Sequence, residues 1–193
     1  MLTRHFKRVR LTGSLAALVV FIVVQGSAVA AWDPAKVEAK EAAVAKTLVE
    51  FYEADASLDR FFNEAAGFVV FPKVGEAAFV VGASHGKGEA FEQTDMMGVA
   101  VSIGIAKMTK VSVGLSLGGE TFQEIIFFKT KDAFDKFKEG KFTMGADVKA
   151  VIVKADAATQ SVWNRDIAAF VRGQKGALVD ASVNGQHLSF EAH

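Results

Sequence analysis

The chain has 193 residues, 22 Lys/Arg against 22 Asp/Glu, four His and no Cys. The absence of cysteine removes a disulfide framework, a thiolate metal site and an acyl acceptor for lipoprotein anchoring. The balanced charge argues against a general nucleic-acid binder, which would show a basic excess.

Residues 1–30 read as a leader. Arg4, Lys7, Arg8 and Arg10 form a basic start, and residues 11–24 are a mostly apolar run. Gln25-Gly26-Ser27-Ala28-Val29-Ala30 then places small residues at Ala-x-Ala positions. This pattern predicts a cleaved signal peptide and an exported protein, periplasmic or secreted. An uncleaved anchor is the alternative, but the apolar run falls short of the roughly 20 residues that span a bilayer. Removing the leader takes away four basic and no acidic residues, leaving 18 against 22 over 163 residues. That is one domain's worth of chain, long enough to build a core without staples.

Asp33-Pro34 is a helix start, with Asp as N-cap and Pro at the first helical position. Val37, Val44, Leu48 and Phe51 follow at helical spacing, so an amphipathic helix is expected to about Tyr52. Its mixed-sign polar face favours packing on its own domain over lying on a membrane. Ser57 is placed to cap a short second helix carrying Leu58, Phe61 and Phe62. After Gly67 the pattern turns to strands. FVVF (68–71) and FVV (79–81) flank a turn-like Pro72-Lys73-Val74-Gly75, and Gly82-Ala83-Ser84-His85-Gly86-Lys87-Gly88 reads as a basic, glycine-rich loop. Residues 99–106 and 111–118 alternate branched apolar with small residues, which predicts a hairpin turning at residues 107–110. The small-residue face implies close packing of another element or a ligand groove. Ile125-Ile126-Phe127-Phe128 predicts a strand buried on both faces. Thr130 should then cap a short helix with Ala133, Phe134 and Phe137 inward, ending at Gly140. Further strands are expected within residues 142–153 and 177–190. The fold class is therefore α+β: amino-terminal helices (31–64) packed on a curled, mainly antiparallel sheet or partial β-barrel (65–193), with one short helix inserted between strands. The two parts are expected to pack as one domain.

Gly82-Ala83-Ser84-His85-Gly86 matches G-x-S-x-G, and Asp147 and His187 follow in the order Ser, Asp, His. That motif needs a strand entering and a helix leaving, and no helix pattern follows Lys87. Gly86-Lys87 is too close to Gly82 for a phosphate loop, and Gly88 stands where a magnesium-binding hydroxyl is required. His85, His187 and His193 show no metal-ligand spacing. No catalytic residue, metal site or cofactor is expected. A non-catalytic reading remains: Lys73, His85 and Lys87 would cluster if their strands pair, and the backbone N–H groups of Gly82, Gly86 and Gly88 could form an anion-binding nest. The alternative is a set of solvated loop side chains.

From about residue 65 to 190 the chain resembles a SYLF domain. The matching pieces are AAGFVVFPKVGEAAFVVGASHGKG, VSVGLSLGGETFQEIIFF, KTKDAFDKFKEGKF followed by MGAD, and KGALVDASVNG. The resemblance implies a non-enzymatic module that binds phosphatidylinositol phosphates or other anionic phospholipids at a membrane surface, and in eukaryotic members actin. Candidate head-group residues are Lys73, His85 and Lys87, with Arg172 and Lys175 from the closing segment. That segment departs from the family pattern at Leu178 and Asp180, and the strand after Asp147 lacks the family's Gly-Pro. The alternative function is an envelope structural or protein-interaction module without a lipid ligand. A nucleic-acid partner is not expected.

Overall fold

The computed structural model describes residues 34–77, 81–94, 99–113, 121–140, 142–145, 148–154, 157–161, 163–173 and 185–193. Helix α1 (Pro34–Ala54) leads through a 3-10 turn (Ala56–Leu58) into α2 (Asp59–Glu64). Strands β1 (Gly67–Ala77), β2 (Val81–Gln93), β3 (Ala100–Val113) and β4 (Thr121–Phe128) follow, then α3 (Lys131–Lys138). The remaining strands are β5 (Phe142–Thr143), β6 (Ala150–Ile152), β7 (Ile167–Gly173) and β8 (His187–Ala192).

These strands form one sheet in the order β5-β8-β3-β2-β1-β4-β7-β6, antiparallel except for β6 beside β7. The α+β expectation is met, and the sheet is curled into a half-barrel. In a flat sheet, four strand spacings would hold β8 and β4 roughly 19 Å apart. Instead Gln186, one residue ahead of β8, donates from Nε2 to Glu124 Oε2 of β4 at 3.0 Å. A short stretch of chain also joins the two edges, since β5 lies on β8 and β6 on β7. The seven chain steps from Thr143 to Ala150 limit the gap between them to about 25 Å.

Alternation along the strands feeds two cores, one on each face. Ile125 and Phe127 of β4 point with Phe68, Val70 and Phe170 toward Val44, Phe51 and Phe61 of the amino-terminal helices. Ile126 and Phe128 point the other way, onto Phe134 and Phe137 of α3 and onto Leu188. Burial on both faces is why Ile125–Phe128 carries no polar residue. The phenylalanines pack edge-on and stacked, as in Phe61–Phe170 at 4.7 Å and Phe68–Phe91 at 5.0 Å between ring centroids. Thr130 caps α3 as expected, accepting from the Ala133 N–H. Asp55, not Ser57, caps the turn before α2: its carboxylate accepts from the Ser57 N–H.

Three expected turns prove to be strand. Residues 72–75 continue β1 through an irregularity between Val70 and Val74, where Pro72 costs the ladder least. Residues 82–88 lie inside β2, and residues 107–110 lie inside β3, which runs unbroken from Ala100 to Val113. Expected strand residues 114–118 lie outside the described residues. The glycines in these strands mark backbone approach, not reversal. A Cβ on Gly88 would come 2.2 Å from the Val70 carbonyl oxygen, and one on Gly104 would come 2.3 Å from that of Glu191. Of the small-residue positions, Gly104 therefore fits the close-approach explanation. Gly88→Ala should cost about 3 kcal/mol or more. Gly75→Ala, whose nearest new neighbour is Thr121 Cγ2 at 3.9 Å, should be close to neutral. Urea denaturation of the two variants separates them.

One core position breaks the apolar rule. Glu124 is fully buried, and burial pushes its carboxyl from an ordinary 4.5 up to about 8, against the opposing pull of the Gln186 hydrogen bond and the Lys110 charge. The folded chain thus keeps this proton to about pH 8, while the unfolded chain releases it near 4.5. Stability should fall as pH rises through that window and level off above it. Glu124→Gln, which cannot ionise, should flatten that slope in denaturation midpoints measured across the window.

Candidate functional site

Pairing of β1, β2 and β3 assembles the basic residues that the sequence suggested. Lys73 adjoins Val74, which pairs with Gly86, the chain neighbour of Lys87, and Lys87 is directly paired with Lys107. All three lysines are exposed. They share the sheet face that α1 covers farther along, because Glu89, two residues on from Lys87, meets Lys40 of that helix at 2.7 Å. His85 is exposed on the same face, opposite Thr109, which on its other side pairs with His187.

Like charges opposite one another on neighbouring strands are destabilising. Lys107 is relieved by Glu191 at 2.8 Å, and this hydrogen bond and charge, with Lys87 adding to them, hold the Glu191 carboxyl below its usual range. Among the described residues, neither Lys73 nor Lys87 has a carboxylate within ion-pair distance. Among the described residues, the row therefore carries more positive than negative charge on exposed side chains.

Arg172 does not join it. It lies on β7, donating to Gln123 Oε1 at 3.1 Å, with Glu50 Oε2 at 3.5 Å. Gln123 also donates to Glu50 Oε2 at 2.6 Å and to Thr47 at 3.3 Å. Arg172 is thus half of a polar tie fastening α1 to β4 and β7. Lys175 lies outside the described residues. Gly86 pairs with Val74 of β1 and Met108 of β3, Gly88 with Ala106 of β3 and Gly82 with Ser112. Their backbone groups serve the ladder, so the expected anion nest is not formed. Lys107 escaped sequence reasoning because residues 107–110 were read as a turn. The signal against that reading is that Lys-Met-Thr-Lys contains none of the Gly, Asn, Asp or Pro that tight turns require.

The nucleophile elbow is absent too. The strand runs on through Ser84 to Gln93 and enters no helix. His187 contacts Thr143 through Nδ1 at 3.3 Å, and Asp147 lies outside the described residues. A different serine, Ser102, lies 3.2 Å from His193 Nε2 and donates to Glu89. Glu89 meets His193 through that same nitrogen, at 3.3 Å. A triad needs the acid on the opposite ring nitrogen from the serine, so this cluster is a structural clasp. Its Glu89 carboxylate joins α1, β3 and the last residue. Among the described residues, no group of three His, Asp or Glu could hold a metal ion.

Comparison with known proteins agrees with the sequence motifs. A family model described as Ysc84, Las17-binding protein actin regulator, matches residues 109–192. Beta cell expansion factor A of Aeromonas veronii is 26% identical over 153 residues, which cover 76% of this chain and 56% of that protein. The chain thus spans a little over half the length of that relative. The family match runs from the last part of β3 through β8 and agrees with the SYLF resemblance of the sequence motifs.

Proposed function

We propose that this protein is an exported, non-enzymatic module that binds anionic phospholipid head groups, phosphoinositides among them, at a membrane surface. The observation that carries the reading is the cross-strand row of Lys73, Lys87 and Lys107, with His85 beside it. Glu191 offsets part of this charge at Lys107, and a phosphate-bearing surface would relieve the repulsion that remains between the lysines. The match of residues 109–192 to a family model described as a Las17-binding protein actin regulator supports the binding part of this reading. The description of the family model as an actin regulator keeps a protein partner as the second reading. Val49 and Tyr52, exposed three residues apart on the outer side of α1, are the described surface on which one would dock.

Each basic residue near an anionic membrane contributes about 1 kcal/mol. Lys73→Glu with Lys87→Glu should therefore weaken co-sedimentation with phosphatidylinositol-phosphate vesicles by roughly tenfold or more and flatten its salt dependence. Equal binding of the unmodified protein to neutral and anionic vesicles would sink the lipid reading. Undiminished binding by the double variant would instead move the site elsewhere.

Export rests on residues 1–30, which lie outside the described residues. Amino-terminal sequencing of the protein recovered from the periplasm or medium should start at Ala31; a start at Met1 would refute cleavage.

A further inference from the structure

The polar bond that closes the half-barrel is unfinished on both sides. Glu124 and Gln186 are each 0% exposed and are joined by one hydrogen bond, from Gln186 Nε2 to Glu124 Oε2. The other oxygen of each, Glu124 Oε1 and Gln186 Oε1, is buried without a hydrogen-bond partner among the described residues. Buried polar atoms in folded proteins are nearly always satisfied, so two unsatisfied oxygens flanking a single bond require explanation.

The chemistry of the two atoms narrows what could satisfy them. Glu124 Oε2 already accepts from an amide. Because burial keeps this carboxyl protonated at neutral pH, its proton belongs on Oε1, where it is a donor without an acceptor. Gln186 Oε1 is an acceptor without a donor. A group that accepts from the first and donates to the second is a hydroxyl. A cation would need an ionised carboxylate, which burial disfavours, and the positive charge of Lys110 would repel the cation itself. An anion would face the lone pairs of Gln186 Oε1. Two residues along the same face from each partner lie Ile126 and Leu188, both fully buried, in a cluster with Met108 and Val171. The polar pair is therefore bordered by an apolar wall.

We propose that the Glu124–Gln186 pair inside the half-barrel is a binding site for one neutral hydroxyl group, supplied by a water molecule or by an alcohol such as a monoacylglycerol. The site lies on the sheet face opposite the basic row, so it stands or falls independently of the head-group reading.

Two measurements on the full chain test it. The first is a crystal structure at a resolution that shows ordered water, grown without alcohol. The second is thermal melting with monooctanoylglycerol against methyl octanoate, which lacks a free hydroxyl. An oxygen within hydrogen-bond reach of both Oε1 atoms, with no melting response to either probe, establishes the water form. A rise in melting temperature with the alcohol alone establishes the second form. That rise should persist in Glu124→Gln, whose amide N–H replaces the acid O–H, and disappear in Glu124→Leu. Gln186→Met serves in place of Glu124→Leu should the latter not fold. The proposal is overturned if both Oε1 atoms are paired with protein atoms or a cation. An ester that stabilises as well as the alcohol excludes the alcohol form, and with no bridging oxygen in the crystal it overturns the proposal.

Discussion

The curl of the sheet is the constraint on which the other features depend. Strands β4 and β8 are four places apart in the sheet order, yet Glu124 meets a residue at the head of β8. A sheet bent this far needs strands that can approach and cross closely. It is relieved where side chains are missing or registers slip: at Gly88 against Val70, at Gly104 against Glu191, and at the irregularities between Val70 and Val74 and between Ala90 and Phe91. The bend also separates two environments. The face under α3 becomes an enclosed, phenylalanine-lined interior, and the opposite face is left for α1 and α2 to cover in part.

That partial cover shapes the candidate site. Helix α1 is held by apolar contacts at Val44 and Phe51 and by two polar ties, Lys40 to Glu89 and Glu50 with Thr47 to the Gln123–Arg172 pair. Farther along β2 and β3, beyond Glu89, the same face presents exposed Lys87 and Lys107. One alternating strand pattern thus supplies Phe91 to the core, Glu89 to the helix tie and Lys87 to the surface. The boundary between structure and function falls within a few residues of a single strand.

Much of this was legible in the sequence. The α1 stripe, the doubly buried Ile125–Phe128 and the Thr130 cap each rest on local chemistry, and all appear in the fold. The errors share one cause. Pro72, the glycines at 82–88 and the polar residues 107–110 look like punctuation when read along the chain. Their role is set by neighbouring strands, which a linear reading does not see. Bringing Lys73 near His85 and Lys87 needed only that β1 and β2 pair, as the sequence suggested. Adding Lys107 required β3 to be unbroken, and separating Arg172 from the group required knowing that Glu50 reaches it from α1. No local pattern marks Glu124, because its partner Gln186 lies 62 residues away.

Strand β8 has a consequence for how the chain is made. It pairs along β3, whose described span ends at Val113, and begins only at His187. While a nascent chain grows through that interval, β3 presents an open edge of backbone N–H and C=O groups. Such an edge templates pairing with other chains. The molecule is therefore most exposed to aggregation late in synthesis, when nearly all of its core residues exist but the strand that seals them does not.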